Sequence, residues 1–233
     1  MAGSRISRAF PDRVEVRGRD LAGDLMGRLT FTQYFHLLLT GEEPTEDQAY
    51  FLDLLLVAIA EHGLMPTVVA ARMTLAADPG SLQGAVAAGI LGAGPVVLGT
   101  AEECARLLAS EEEPETLVRR LREAGERVPG FGHPLHKPVD PRAERILELA
   151  DERGVSGRHV ARARQLHEAV GLTMNVSMPI AAVLLDLGLP ASAVKAVPIL
   201  ARTAGLLAHL AEEREQPIGL LLARAAEEAA RAE

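Results

Sequence analysis

A glycine-rich loop and the helix that follows it carry the residue types best suited to binding a small acid. Val128–Gly132 leads directly into His133, and Asp140-Pro141-Arg142 follows after six intervening residues. A neutral imidazole can hydrogen-bond a ketone or alkoxide oxygen, and a guanidinium can bind a carboxylate through two parallel hydrogen bonds. This grouping suits a carboxylate substrate with an adjacent carbonyl or hydroxyl. On spacing alone, an ordinary loop histidine and a solvated surface arginine are the simpler interpretations.

Two other segments offer residues of the same types. His62 ends an apolar helix, where it either complements the helix dipole or points a second imidazole at a substrate oxygen. Arg202 and His209 are seven apart and share a helix face, which is equally typical of an amphipathic helix. His159 and His167 are eight apart on one helix, which makes a poor metal pair. No dinucleotide fingerprint, Walker motif or Ser-His-Asp arrangement is supported by its sequence context.

The composition narrows the class of protein. Lys and Arg number 24 against 32 Asp and Glu, a formal net charge of −8, which argues against a general nucleic-acid or membrane-surface role. Cys104 is the only cysteine, so an intrachain disulfide and a cysteine-rich metal site are excluded. The N-terminus lacks the apolar run of a signal peptide, and no stretch, Leu52–Ala60 included, reads as a membrane span. These features predict a soluble cytoplasmic protein.

Helical signals dominate the chain. Thr45–Gln48 has the form of a capping box and predicts a helix to about His62, with Gly63 as its stop. Asp140 followed by Pro141 predicts another helix start. Alternation typical of strands is nearly absent, which predicts an all-α protein. The other predicted helices cover about 67–77, a segment after Ser81, and about 100–110, 114–126, 157–171, 178–187, 191–213 and 217–231.

The helix after Ser81 carries small residues at helical spacing. Gly84, Ala88 and Gly92 are four apart, with Ala85 and Gly89 beside them. Glycine costs about 1 kcal/mol relative to alanine inside a helix, so several glycines predict that another backbone approaches closely. The helix is therefore predicted to be central, and its small-residue face is also a candidate subunit interface.

Five segments, in order along the chain, resemble the sequence motifs of citrate synthase and its relatives. Val128–His133 with Asp140–Ala143 resembles the family's VPGFGHRVYKxxDPRA. The others are Arg17–Leu21, which resembles RGYDI, Leu37–Thr45, which resembles LLxGELPT, Asn175–Ser177, in the place of NVD, and Ala201–Gly205 with Ala208-His209, which resembles SRTxGWxAH. The match runs from about residue 17 to 217.

The resemblance implies an all-α, citrate synthase-like fold with a large and a small helical domain. The large, dimerising domain is predicted to comprise residues 1–98 and 189–233, and the small, coenzyme A-binding domain residues 99–188. By analogy, the small domain closes over the ligand from hinges near Gly99 and Gly188. A homodimer is expected, from the resemblance and from the small-residue face.

The resemblance also implies roles for single residues. His133 matches the histidine that holds the oxygen of oxaloacetate, and His62 matches another substrate-binding histidine. Arg142 and Arg202 match arginines that bind the carboxylates. The backbone that matches the adenine-binding loop for coenzyme A is that of Val128, Pro129, Gly130, Phe131 and Gly132. Coenzyme A, as an acyl thioester, is the one cofactor implied, and no metal is expected.

Three positions with expected catalytic or binding roles depart from the family pattern, and Pro134 and His136 also alter the HRVYK run. Val97 stands where synthases carry the histidine that stabilises the acetyl-CoA enol. Ser177 stands where they carry the aspartate that abstracts the acetyl proton, and a serine there can cap a helix but cannot act as a carboxylate base. Gln216 falls where a third arginine, donated across the dimer, is expected. Length and the Glu61-His62-Gly63 context resemble the short citryl-CoA lyases and the lyase module of ATP-citrate lyase, which keep the aspartate but lack the histidine.

These features predict a citryl-CoA lyase-type enzyme that cleaves a citryl-CoA-like thioester to acetyl-CoA and oxaloacetate. His133, His62 and Ser177 are the catalytic candidates, and the proton acceptor is left open among His36, His136 and Ser177. One alternative is a divergent synthase that joins an acyl-CoA to another 2-oxo acid. The other is a non-catalytic binding or regulatory protein. Because fewer cationic clamps remain, a monocarboxylate 2-oxo acid is expected to fit better than oxaloacetate.

Overall fold

The computed structural model describes residues 4–94, 97–98, 100–133 and 135–231. Most of these residues are helical, which confirms the predicted all-α class. The described helices are α1 (Phe31–Thr40), α2 (Glu46–Ala60), α3 (Pro66–Ala77), α4 (Leu82–Leu91), α5 (Thr100–Leu108), α6 (Pro114–Glu123), α7 (Pro141–Glu152), α8 (Arg158–Val170), α9 (Ser177–Asp186), α10 (Ala191–Val194), α11 (Ala196–Glu215) and α12 (Gly219–Arg231).

Local signals in the sequence account for the helix starts. The capping box of α2 forms as predicted, with Gln48 N donating to Thr45 Oγ1 at 3.2 Å and Thr45 N donating to Gln48 Oε1 at 2.8 Å. Asp140 caps α7 by accepting a hydrogen bond from Arg142 N at 3.1 Å, and Pro141 follows it as predicted. These caps satisfy amide donors that would otherwise lack partners at a helix start.

The N-terminal segment contains the structure that the sequence patterns missed. Three short strands, β1 (Ser7–Ala9), β2 (Val14–Val16) and β3 (Arg19–Asp20), form an antiparallel sheet in that order. Strands of two or three residues are too short to show a period-two pattern. Helix α1 was also missing from the predicted helices, although Thr30 and Gln33 form a capping box at its start.

The predicted helix over 191–213 is interrupted, because α10 ends at Val194 and α11 begins at Ala196. Pro198 has no amide hydrogen to donate back to Val194, which removes one bond of a continuous helix. By length and composition alone Ala191–Glu215 could cross a membrane, a stretch that the sequence patterns did not single out. A helix in the core of a globular fold passes the same test, and 44% of the apolar window is buried within the fold.

The main apolar cluster is built around α9, whose residues from Met178 to Leu184 are all buried. Helices α2, α5, α7 and α8 pack against it. A second cluster joins α3, α4 and the later part of α11, through residues such as Val68, Ala85 and Leu206. Helix α11 therefore links the two clusters. The predicted domain boundaries stay a prediction, and the predicted hinge at Gly99 lies outside the described residues.

Helix α4 packs closely at Gly89, one of the small residues from which a close backbone approach was predicted. A side-chain carbon added at Gly89 would lie 2.7 Å from Leu206 Cδ1 and 2.9 Å from the carbonyl oxygen of Thr67. At Gly84 the close contacts would be with Ser81 in the same helical turn. The close approach therefore falls on the face of Ala85 and Gly89, while a subunit interface on the face of Gly84 and Ala88 stays a prediction.

Candidate active site

The residues that the sequence singled out converge on one cleft of about 940 Å³. They come from distant parts of the chain: the end of α2, the loop before α7, and the starts of α7, α9 and α11. Val97 and Leu98, from the stretch between α4 and α5, also line the cleft. The candidate site residues in the lining are His62, Val128–Gly132, His133, Arg142, Ser177 and Arg202.

The loop that precedes His133 is fixed by its backbone. Gly130 and Gly132 both adopt φ of +84°, a conformation that favours glycine. Gly132 N donates to Thr173 O at 2.7 Å, and Asn175 N donates to Gly130 O at 2.9 Å. The side chain of Asn175 adds a hydrogen bond to Gly132 O at 3.1 Å. The residues before α9 therefore hold the loop in place against the cleft.

His133 is held as a hydrogen-bond donor. Its Nδ1 accepts the backbone N–H groups of Leu135 at 3.1 Å and His136 at 2.9 Å. In a neutral ring whose Nδ1 is an acceptor, the proton resides on Nε2. Burial and the neighbouring His136 lower the pKa of His133 below its usual value, which favours this neutral form. The ring can therefore donate Nε2–H to an oxygen of a bound ligand.

His62 occupies a tight turn directly after α2. The carboxylate of Glu61 accepts the N–H groups of His62 at 2.8 Å and Gly63 at 2.5 Å, and Gly63 adopts φ of +74°. The centroid of the His62 ring lies 5.6 Å from that of His133. Burial first, and then the charge of Arg142, lower the pKa of His62, so its imidazole is also neutral near pH 7.

A charged network behind His62 supports this turn. His209 Nε2 lies 2.8 Å from Glu61 Oε2, and Arg72 Nη2 lies 3.1 Å from His209 Nδ1. Arg72 is 1% exposed and also contacts Glu213 at 3.1 Å. Burial raises the pKa of Glu61, but hydrogen bonds from His209 and the turn outweigh burial and lower it overall. His209 does not line the cleft. It contacts Glu61, and Glu61 in turn accepts the backbone N–H of His62.

Arg142 reaches the cleft while paired with a buried acid. Its Nε and Nη2 donate to the two carboxylate oxygens of Asp140, at 3.0 and 2.9 Å. Asp140 is fully buried and also accepts the N–H of Val176 at 3.2 Å. Burial alone would raise the pKa of Asp140, but the hydrogen bonds and charge of Arg142 lower it overall. The pair fixes the guanidinium of this cleft-lining residue, and Nη1 takes no part in the pair.

Arg202 is a buried cation whose side chain is only partly satisfied. The residue is 4% exposed, and its Nη2 donates to Ile59 O at 3.3 Å. Its Nε and Nη1 atoms are buried and have no hydrogen-bond partner within the part of the chain that the structure describes. Burial lowers the pKa of Arg202, an effect that the charge of Glu61 partly offsets. Since unpaired buried charge is unfavourable, the site calls for an anionic ligand.

Ser177 lies at the start of α9 and lines the cleft, but it is not the N-cap that the sequence suggested. The N-cap is Val176, and the free amide of Ser177 is capped by Asn175 Oδ1 at 3.1 Å. Ser177 therefore lines the cleft without capping α9. Val97, in the same lining, offers no titratable group.

The remaining proton-acceptor candidates differ in position. His36 is buried in α1, where its Nδ1 lies 2.9 Å from the carbonyl oxygen of Glu42, and it does not line the cleft. His136 lies beside the cleft, with its ring centroid 4.3 Å from that of His133. The structure therefore brings His136, and not His36, to the other imidazoles.

Three histidines are close enough to be weighed as metal ligands. One ring nitrogen each of His62, His133 and His136 lies within 4.8 Å of the others. Metal-bound imidazole needs a free lone pair, whereas the amides on His133 Nδ1 leave Nε2 protonated. The charges of Arg142 and Arg202 act on the same cluster and oppose a second cation. The arrangement fits an anionic organic ligand better than a metal ion.

Comparison with known proteins identifies the family to which this chain and its cleft belong. Residues 10–224 match the sequence model described as citrate synthase, C-terminal domain. The chain belongs to the citrate synthase family. A citrate synthase of Haloferax volcanii is 31% identical over 194 residues, which cover 78% of this chain and 51% of that relative. The chain thus spans about half the length of the curated family members that it matches.

Solved structures of the family superpose over most of the chain. Citryl-CoA lyase from Hydrogenobacter thermophilus has a TM-score of 0.84 and 32% identity, and the alignment covers 91% of this chain and 87% of that protein. ATP citrate lyase from Methanothrix soehngenii, solved with citrate and coenzyme A, has a TM-score of 0.82 at 22% identity. That alignment covers 92% of this chain and 39% of that protein, and it supports the fold alone.

Proposed function

We propose that this member of the citrate synthase family is a citryl-CoA lyase-type enzyme, which cleaves a citryl-CoA-like thioester to acetyl-CoA and oxaloacetate. The observation that carries the proposal is the cleft itself. It combines the partly unpaired guanidinium of Arg202, the edge of Arg142 and the fixed donor of His133. The near full-length likeness to a citryl-CoA lyase, at 87% of that chain, favours the lyase over a synthase.

Each residue has a task in this reaction. Arg142 and Arg202 bind substrate carboxylates through charge-assisted hydrogen bonds. His133 donates Nε2–H to the oxygen that changes from hydroxyl to ketone, and His62 contacts the same oxygen or an adjacent carboxylate. Such donors accelerate a reaction when they bind the developing charge better than the ground state.

Coenzyme A fits the other end of the same cleft. The main chain of Val128–Gly132 would receive the adenine, and the lining continues to the cationic side chains of Arg106, Arg120 and Arg127. Guanidinium groups are well suited to phosphate oxygens. Arg106 and Arg120 have surface acids as neighbours, Glu102 at 2.8 Å and Glu112 at 3.0 Å, which a phosphate group could displace.

The divergent synthase is the second candidate, because the curated relatives carry the name citrate synthase. Calorimetric titration with oxaloacetate and with coenzyme A tests whether the cleft binds both ligands. A coupled assay in both directions then separates cleavage from condensation. We expect binding of both ligands and net cleavage of citryl-CoA. If neither ligand binds, the enzyme proposal fails, whereas binding without turnover in either direction would favour the non-catalytic alternative.

A serine-to-aspartate substitution tests whether position 177 limits the rate. Ser177→Asp introduces a carboxylate at the first residue of α9. A correctly positioned general base typically raises a reaction rate by about 10²–10⁴. We expect the variant to gain condensing activity. Ser192→Asp, on an exposed position of α10, adds the same charge away from the cleft and should leave the rates unchanged. A Ser177→Asp variant without any gain would show that position 177 does not limit condensation.

The number of cationic clamps bears on the substrate. Gln216 follows α11 on the exposed surface and does not line the cleft of this chain. Gln216 stands where a third carboxylate-binding arginine, donated across the dimer, was expected, so fewer cationic groups are available to a ligand. We therefore propose that a monocarboxylate 2-oxo acid, or its condensed thioester, fits better than oxaloacetate. Losing one charge-assisted partner costs about 1.5–3 kcal/mol. Calorimetry with oxaloacetate, pyruvate and 2-oxobutyrate ranks the ligands, and tighter binding of oxaloacetate would contradict this preference.

The proposed assembly is a homodimer with a closing small domain, 99–188, on a large domain of 1–98 and 189–233. Exposed apolar side chains on α4, α11 and α12 support the dimer: Leu91, Leu207, Leu220 and Leu221 are 84%, 45%, 61% and 55% exposed. Sedimentation at micromolar concentration should give a dimer, and scattering with ligand should give a smaller radius. A cytoplasmic location is likewise proposed, with cell fractionation as its test.

A further inference from the structure

His136 is the third imidazole of the cluster: it does not itself line the cleft, but its ring neighbours two residues that do, His62 and His133, and the roles described so far do not use it. Its ring centroid lies 4.3 Å from that of His133 and 5.8 Å from that of His62. We propose that His136 is the general acid and base of the cleavage: it takes the proton of the substrate hydroxyl and returns it to the carbon released. The inference rests on the proposed lyase function.

The other groups at this end of the cleft are committed or unsuitable. His133 cannot accept a proton on Nδ1 without losing two amide hydrogen bonds, and its Nε2 already carries a proton. The carboxylate of Asp140 is fully buried and accepts hydrogen bonds from Arg142 and Val176. The hydroxyl of Ser177 is too weakly basic to take a proton unaided.

Three further carboxylates do not replace His136. Glu61 is occupied by the N–H groups of His62 and Gly63 and by His209. Glu103 and Glu126 line the cleft together with the cationic side chains proposed to hold coenzyme A. Among the described residues at the imidazole cluster, His136 therefore offers the ring nitrogen that has no assigned task.

The charges around the cluster suit a temporary proton. The titratable and charged groups that act on His62 and His133 are His62 itself, His136, Asp140, Arg142 and Arg202, and Lys137 is adjacent to His136 in sequence. Arg142 and Arg202 help to keep His62 neutral before the substrate binds, and Arg142 does the same for His133. The substrate carboxylates compensate the charge of those arginines, so the cluster has less net positive charge around it in the complex.

The cleavage balances with one proton carrier. The imidazole of His136 removes the hydroxyl proton, and the electron pair of that O–H bond forms the second bond of the ketone. The carbon–carbon bond to the thioester α-carbon breaks, and its electron pair forms the thioester enolate. The imidazolium then returns the proton to the α-carbon. An oxo acid and an acyl thioester leave, and the imidazole is neutral again.

Chemical rescue tests this role. The parent protein is assayed first for cleavage of citryl-CoA, which tests the lyase proposal by itself. His136→Ala should lower kcat by about 10²–10⁴ with little change in KM. Added imidazole should restore part of the rate, in proportion to the neutral fraction of imidazole. Val139→Ala, a 44% exposed residue of the same loop, should keep the parental rate and gain nothing from imidazole.

Each outcome separates the two proposals. A parent that binds oxaloacetate but cleaves no citryl-CoA removes the lyase proposal and this inference with it. An active parent whose His136→Ala variant keeps its rate overturns the inference alone. The inference alone is also overturned if His136→Ala is folded, binds oxaloacetate and has lost activity that added imidazole does not restore. One transition metal per chain in the parent, lost in His136→Ala, would also overturn it in favour of metal binding.

Discussion

Asp140 holds the guanidinium of Arg142 in the first turn of α7, two residues away along the chain. The two parallel hydrogen bonds measure 3.0 and 2.9 Å, and the Asp140 side chain is fully buried while that of Arg142 is 22% exposed. The same carboxylate caps α7 and accepts the N–H of Val176, just before α9. One acid therefore ties two helix starts to a proposed ligand-binding arginine.

Neutralising this acid should destabilise the protein. Asp140→Asn keeps the size of the side chain, but it leaves a cation without its partner and turns one acceptor into a donor. Breaking a buried pair costs about 3–5 kcal/mol, and partial exposure of Arg142 places our expectation near about 3 kcal/mol. Urea unfolding measures the loss. Glu144→Gln, at an exposed position of the same helix, should change the unfolding free energy by no more than about 0.5 kcal/mol.

The two glycines of the cleft loop should respond differently to alanine. Both adopt φ of +84°, so both substitutions carry strain of about 1–2 kcal/mol. At Gly130 the added carbon would also lie 2.7 Å from Cys104 Sγ and 2.7 Å from Met178 Cε, whereas at Gly132 nothing lies within 4 Å. Gly130→Ala should therefore be the less stable by a further amount of about 1–3 kcal/mol. Equal urea midpoints would contradict this packing.

The helices could be predicted from the sequence because their limits are set locally. Thr45 and Asp140 begin helices where predicted, since a cap depends on a few neighbouring residues. The break before Ala196 was missed because the apolar pattern runs through it and only Pro198 signals it. The small strands gave no detectable pattern. The buried face of α4 could not be chosen from spacing, because Gly84 and Gly89 belong to equally small faces.

The residues of the candidate site could be identified from the family resemblance, but not from residue spacing alone. Nothing in the local sequence indicates that His62 and His133 approach to 5.6 Å, since the fold joins segments far apart in the chain. The support behind His62 was not foreseen for the same reason. Arg72 and His209 are 137 residues apart, and a pair of that kind leaves no periodic signal. Only the motif order placed these segments in one fold.

Removing the buried charge of Arg202 should affect binding and stability in opposite ways. Arg202→Met keeps most of the apolar stem and removes a guanidinium whose Nε and Nη1 lack partners. Affinity for oxaloacetate should fall about 10–150-fold, whereas the unfolding temperature should be no lower than that of the parent. Calorimetry and thermal unfolding measure the two effects. Arg145→Met, an exposed arginine of α7, should leave the affinity unchanged.

The ligand-free protein should lose stability in mild acid partly through His62. Its pKa in the fold lies below the ordinary value of 6.5, so the unfolded chain binds the proton more readily. The neutral ring contributes stability above pH 6.5, and this contribution is lost as the pH falls through the folded pKa. We expect the parent to lose more unfolding free energy than His62→Gln between pH 7.5 and about 5.5. Parallel acid losses in both proteins would exclude this contribution.

Binding of a dianion should raise the pKa of His62, which the fold lowers in the ligand-free protein. Carboxylates placed near His62 offset the charges of Arg142 and Arg202, which help to lower its pKa in the free protein. The pKa of His62 should therefore rise on binding, so that the complex takes up protons and affinity increases as the pH falls from 8 to about 6. Calorimetry in buffers of different ionisation enthalpy measures the uptake. We expect less than one proton per site in the parent and less uptake in His62→Gln. Proton release by the parent would mean that the ligand does not approach His62.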